Sequence, residues 1–207
     1  MLAATAIHYL ALGDSYSIGE GIVADDRWPE VLVRRLRRAG VIIDDPRIVA
    51  VTGWTTDELY AGMDAAQLKP PFGLVTLQIG VNNQYRGRSA TEYRTQFTTL
   101  LARAIELAGG HSARVVVVSI PDWGVTPFAR EHDRDPARIA TELDSFNAIA
   151  RDETHRAGAA FVDITGISRQ HPALVAADGL HPAAEQYIRW VTAIEPVVYA
   201  ALHRGPR

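Results

Sequence analysis

Five short aliphatic runs, residues 7–12, 47–51, 74–79, 114–120 and 160–164, recur along the chain with longer segments of helical spacing between them. Each run is nearly continuous in hydrophobicity, the pattern of a strand covered on both faces and not of one with a wet side. The intervening segments supply the covers. Residues 28–39 carry Val31, Leu32 and Leu36 on one side and Arg34, Arg35, Arg37 and Arg38 mostly on the other, with Pro29 suited to a first turn and Gly40 to a stop. Segments 55–67 and 89–108 open with Thr55-x-x-Glu58 and Ser89-x-x-Glu92, the capping-box spacing that satisfies free amide donors at a helix start. Two further helices are predicted over 135–157 and 182–203. Strand then helix, repeated five times, predicts a parallel sheet with helices on both sides.

The expected strand order is 2-1-3-4-5, flavodoxin-like, within a single domain spanning residues 1–207. Three long irregular stretches, 17–27, 121–134 and 166–180, follow strands one, four and five. In such a sheet, ligands bind beyond the carboxyl ends of the strands, so all three stretches are expected to border one crevice.

Composition narrows the chemistry. There is no cysteine, which removes thiolate metal sites, iron–sulfur clusters and thiol nucleophiles. A net charge of −3, from 21 basic and 24 acidic residues, argues against non-specific binding to nucleic acid or anionic membrane. No apolar stretch approaches the roughly 20 residues needed to cross a bilayer. The apolar N-terminus lacks a basic region and runs straight into Gly13-Asp14-Ser15, so it reads as the first strand and not as a leader, and a cytoplasmic location is expected.

A serine in a strand-to-helix turn presents its hydroxyl at the sheet edge with backbone amides aimed outward, which suits Ser15 to nucleophilic attack. By itself Gly13-Asp14-Ser15 reads first as an ordinary capped turn. In Asp178-Gly179-Leu180-His181-Pro182 an aspartate three residues before a histidine can curl back to accept the imidazole Nδ1 hydrogen, leaving the other nitrogen free as a base. Alone, this is equally an Asx turn beside a helix cap. Gly53 follows strand two and could bring its backbone close to a reacting carbonyl, while Asn82, after strand three, could donate its side-chain amide to a developing oxyanion. Each of these, taken singly, is a loop residue.

Together the four blocks, Gly13-Asp14-Ser15-Tyr16, Gly53 in Thr-Gly-Trp-Thr-Thr, Gly80-Val81-Asn82-Asn83 and Asp178-Gly179-Leu180-His181-Pro182, resemble in content and order the SGNH, or GDSL-like, hydrolase superfamily. The resemblance runs from Leu10 to about Tyr199. It implies a three-layer α/β/α fold and a hydrolase that cleaves carboxylic esters through an acyl-enzyme, with no metal or organic cofactor. It further implies Ser15 as nucleophile, His181 as base and Asp178 as its orienter. The implied oxyanion donors are the Ser15 and Gly53 backbone amides and the Asn82 side chain. Two positions depart from the family pattern. Tyr16 stands where the family name has leucine and is expected to pack beneath the turn. Asn83 stands where aspartate is usual, losing a charge and an acceptor that could brace neighbouring loops.

Of seven histidines only His181 has a carboxylate at this spacing, and no pair has metal-ligand spacing. His8 is assigned to strand one, His111, His132, His155 and His203 to the surface, and His171 is a minor alternative to His181. Trp54, Tyr85, Trp123 and Phe128 are candidates to wall the substrate pocket, and Gln84, Tyr85 and Arg86 to meet a polar leaving group. The four arginines of segment 28–39 read as a solvated face. A small-molecule ester, with a short acyl or O-acetyl group, is the expected substrate. An acyltransferase using the same residues and a catalytically silent carbohydrate- or acyl-binding module are the rivals. Oligomeric state has no signature in the sequence.

Overall fold

The computed structural model describes residues 5–203. The first four residues of the apolar N-terminal run, and both ends of the expected 1–207 unit, lie outside the described residues. A five-stranded, all-parallel sheet has the order β2-β1-β3-β4-β5. Its strands are β1 (Tyr9–Gly13), β2 (Arg47–Ala50), β3 (Leu74–Gln78), β4 (Val115–Val118) and β5 (Ala160–Val162). Every residue of β1, β3 and β4 is buried, as continuous apolar runs require. The edge strands differ. β2 and β5 are only partly covered, because each has a neighbour on one side alone.

Helices α2 (Trp28–Arg38) and α9 (Ala184–His203) pack together on one face of the sheet. The other face carries α3 (Thr56–Ala65), α5 (Ala90–Leu107) and α7 (Pro136–Arg156), completing three layers. In α2, Leu32 and Leu36 are fully buried while Arg35, Arg37 and Arg38 sit in the last turn, where cations complement the helix dipole. Arg35 pairs with Glu195 of α9, and Arg37 with Asp45. A polar stitch runs beneath the site: the Trp28 indole N–H donates to Gln78 Oε1 at 3.0 Å, and Gln78 Nε2 donates to the Ser119 carbonyl at 3.1 Å.

Several element ends depart from the sequence pattern, each for a traceable reason. The run 7–12 begins pairing as a strand only at Tyr9; Ile7 makes one isolated bridge to Ile43, and His8 lies outside the strand, its Nδ1 2.6 Å from Asp44 at the surface. β4 ends at Val118 because side chains take over the backbone. Asn147 of α7 receives the Ile120 N–H and donates to its carbonyl, and the Ser119 hydroxyl receives the Ile164 N–H. The stretches expected to be irregular contain short helices: α1 (Ser15–Ile18), α6 (Pro127–Glu131) and α8 (Thr165–Gln170). A further short helix, α4 (Val81–Tyr85), follows β3 directly.

Candidate active site

The connections leaving β1, β2, β3 and β4 meet the turn before α9 at the carboxyl edge of the sheet. Strand order reverses between β2 and β3 on either side of β1, so Ser15 sits at the point where such sheets open a crevice. A cleft of about 240 Å³ opens there, lined by Ser15, Gly53, Asn82, Tyr85, Trp123 and Phe128, with His181 and Leu180 on its rim.

Asp14 caps α1 by accepting the Tyr16 N–H on Oδ1 at 3.0 Å. Ser17 and Ile18 donate their N–H groups to the Asp14 carbonyl, and Gly19 and Glu20 to that of Ser15. The position of Ser15 is therefore fixed without using its hydroxyl. Asp178 makes two kinds of contact. Its Oδ1 accepts the Leu180 and His181 N–H groups at 2.9 and 3.0 Å, and its Oδ2 lies 2.7 Å from His181 Nδ1. Gly179, at φ +70°, supplies the left-handed residue this tight turn needs. Burial pulls the Asp178 carboxyl upward, but the imidazole and the two backbone donors outweigh it and hold it below the usual carboxylate range. The turn is anchored on both sides, by Phe128 N–H to the Gly179 carbonyl and by Ala176 N–H to that of His181. Tyr16, nearly fully buried, meets His181 and Trp190 edge-on from beneath, at ring separations of 5.8 and 6.0 Å.

Thus Ser15 and His181 face one cleft and Asp178 fixes the imidazole from behind; among the described residues no hydrogen bond yet joins the serine to the histidine. Such bonds commonly tighten only when substrate is bound. Gly53 and Asn82 line the opposite wall. Asn82 Nδ2 donates to the Trp54 carbonyl at 2.9 Å, leaving its second amide hydrogen for the cleft. Asn83 is fully buried and clamps Thr56 twice: Oδ1 accepts its N–H at 3.1 Å, and Nδ2 donates to its hydroxyl at 2.7 Å. The amide thus replaces a lost acceptor with a donor, and the loop stays braced.

The wall candidates divide. Tyr85, Trp123 and Phe128 line the cleft as an edge-to-face series. Trp54 does not; its ring lies against Gly62 of α3, where any side chain would collide with it, so it packs the loop base. Gln84 is buried away from any leaving group, accepting the Trp123 indole N–H at 2.8 Å and donating to Glu142 at 2.7 Å. Arg86 points to the Gly53 carbonyl and Glu58. His171 ends α8 and is not among the cleft residues. Sequence reasoning missed the support behind Trp123. Asp122, buried, caps Gly124 N–H at 2.9 Å and is held by Arg169 at 2.8 Å, a partner 47 positions away that no local spacing reveals. Among the described residues no cluster of three or more His, Cys, Asp or Glu could hold a metal ion, and no helix is long and apolar enough to cross a membrane.

Asp14 has a measurable consequence. It is 1% exposed, and its Oδ2 has no hydrogen-bond partner among the described residues. Burial pushes its carboxyl from 3.8 up to about 7, against the pull of the Tyr16 N–H. The folded state therefore holds this proton more tightly than the unfolded chain. Its contribution to stability is full below about pH 4 and lost as pH rises through about 7. That difference is worth on the order of 4 kcal/mol. Asp14→Asn keeps the cap acceptor and removes the titration, so urea unfolding of the variant should lose about that much less stability than wild type between acidic and alkaline pH. Parallel pH profiles for the two proteins would rule this out.

A parallel sheet with an acid-held imidazole and a serine at its carboxyl edge places the molecule among hydrolases. Residues 11–188 match the GDSL-like Lipase/Acylhydrolase family. The chain belongs to that family and is a carboxylic ester hydrolase. Solved structures share the fold at low identity. The lipase/acylhydrolase from Enterococcus faecalis is 18% identical, with 97% of this chain and 98% of that one covered at a TM-score of 0.74. The psychrotrophic esterase EstA from Pseudoalteromonas sp. is 16% identical, with 95% and 99% covered at 0.73. A variant of Axe2, an acetyl xylan esterase from Geobacillus stearothermophilus, is 17% identical, with 96% and 97% covered at 0.72. No curated protein sequence matches the chain.

Proposed function

We propose that this protein is a serine esterase that cleaves short-chain acyl or O-acetyl esters through an acyl-enzyme. The observation that carries the reading is the 2.7 Å contact between Asp178 and His181 Nδ1, which turns the opposite imidazole nitrogen toward the cleft that Ser15 lines. His181 takes the Ser15 proton as the hydroxyl oxygen attacks the ester carbonyl. The oxyanion is received by the Ser15 and Gly53 N–H groups and the free amide hydrogen of Asn82. Collapse expels the alcohol, which leaves with the proton from His181. Water, deprotonated by the same imidazole, then releases the acid and restores Ser15.

The cleft supports a small acyl group: about 240 Å³ lies below the roughly 300 Å³ at which sites for drug-sized ligands begin. The acetyl xylan esterase among the structural relatives is a precedent for O-acetyl substrates on this fold. Chromogenic esters from acetate to palmitate, with acetylated xylan, test the reading. Expected is the highest kcat/KM at acetate to butyrate, falling at least tenfold for long chains. A preference for palmitate would overturn the short-chain assignment, and absence of turnover on every ester would favour a silent binding module.

A further inference from the structure

We infer that Arg86 is a positioning residue that aims the Gly53 N–H into the oxyanion site by holding the next carbonyl along the chain. This rests on the serine-esterase reading and adds to it a residue outside the cleft. Gly53 has φ +86°, a left-handed conformation that glycine adopts freely and abandons as freely, since no Cβ restricts either torsion. A donor on such a residue is preorganised only if something external fixes its peptide planes.

Four consecutive residues of this loop are each held by a side chain. The Gly53 carbonyl accepts from Arg86 Nη2 at 2.6 Å and the Trp54 carbonyl from Asn82 at 2.9 Å. The Thr55 N–H donates to Glu58 Oε2 at 2.8 Å, and the Thr56 N–H to Asn83 at 3.1 Å. Three of the four holders lie on α4 or the residue that ends it. Arg86 has a second function in the set: its Nη1 meets Glu58 Oε1 at 3.2 Å, so one planar fork ties the glycine carbonyl to the carboxylate that secures Thr55. Of the four clamps, only the one on Gly53 acts directly on the residue that lines the cleft and whose amide is assigned to the oxyanion. The guanidinium is 43% exposed, so screening by water keeps its contribution below that of a whole donor.

The experiment compares wild type, Arg86→Met and Arg86→Lys on a chromogenic acetate ester, with kcat expressed per site titrated by a fluorophosphonate, so that unfolded protein does not count. Arg86→Met is expected to lower kcat about tenfold, less than the roughly 10² to 10³ lost with a complete oxyanion donor, while KM stays within about twofold. Inhibition by a trifluoromethyl ketone, which forms a tetrahedral oxyanion on serine, should weaken in parallel with kcat/KM. A lysine can still donate to the Gly53 carbonyl but cannot also grip Glu58, and is expected to restore part of the loss. An unchanged kcat, a rise in KM alone, or equal losses in both variants would overturn the inference. Wild-type turnover that survives Ser15→Ala would instead overturn the esterase reading beneath it.

Discussion

Ser15→Ala is expected to lower kcat by about 10⁶-fold and to abolish labelling by a fluorophosphonate. The size of the effect follows from the chemistry: without the hydroxyl no acyl-enzyme forms, and His181 is left a base with nothing to activate in line with the carbonyl. The fold should not register the change. The turn is held by Asp14 Oδ1 and by backbone bonds from Ser17, Ile18, Gly19 and Glu20, none of which uses the Ser15 side chain. Equal thermal midpoints for the two proteins, with turnover and labelling lost only in the variant, are the expected pair of results. Labelling that persists at another residue would move the nucleophile elsewhere.

Asp178→Asn is expected to lower kcat by about 10⁴-fold with little change in KM, the loss known when an imidazole is held in the wrong tautomer. The carboxylate divides its labour between two oxygens, and the substitution separates them. An asparagine Oδ1 can go on accepting the Leu180 and His181 N–H groups, so the turn survives. Its NH₂ group then faces Nδ1, where an acceptor is needed. The ring answers by carrying its proton on the nitrogen that should receive the Ser15 proton. Asp178→Ala, which loses the turn bonds as well, should be no more active and also less stable. If Asp178→Asn kept full activity, the 2.7 Å contact would be structural only.

The sheet was legible because its signal is continuous. Three runs buried on both faces lie at its centre, and the order of strand and helix leaves few topologies open. What could not be read were the places where distant side chains seize the backbone. Nothing near Ile120 announces that Asn147 will take both of its hydrogen-bonding groups, so the fourth run looked longer than the strand it forms. Helix α8 has a local signal: Asp163 accepts the Thr165 N–H at 2.9 Å, an Asx turn just ahead of the helix.

At the site, the residues brought together are those whose order along the chain matched a known pattern. The aromatic walls were harder, because adjacency to a loop does not fix the direction of a ring. Trp54 and Tyr85 both follow donor positions, yet Gly62 gives Trp54 a flat seat on α3, while Tyr85 turns toward Trp123 and Arg134. Arg86 was recognisable as a cation near the crevice. Its target was not, since the bond to Gly53 spans 33 positions.

The packing of α9 against α2 has a consequence for how activity fails. His181 and Asp178 ride on the turn that enters α9, whereas Ser15 opens α1, directly after β1. Trp190 beneath Tyr16 and the Glu195–Arg35 pair are the moorings between these two bodies. Slippage of that one helix would part His181 from Ser15 with the sheet still whole, so activity is expected to fail on heating before the fold does.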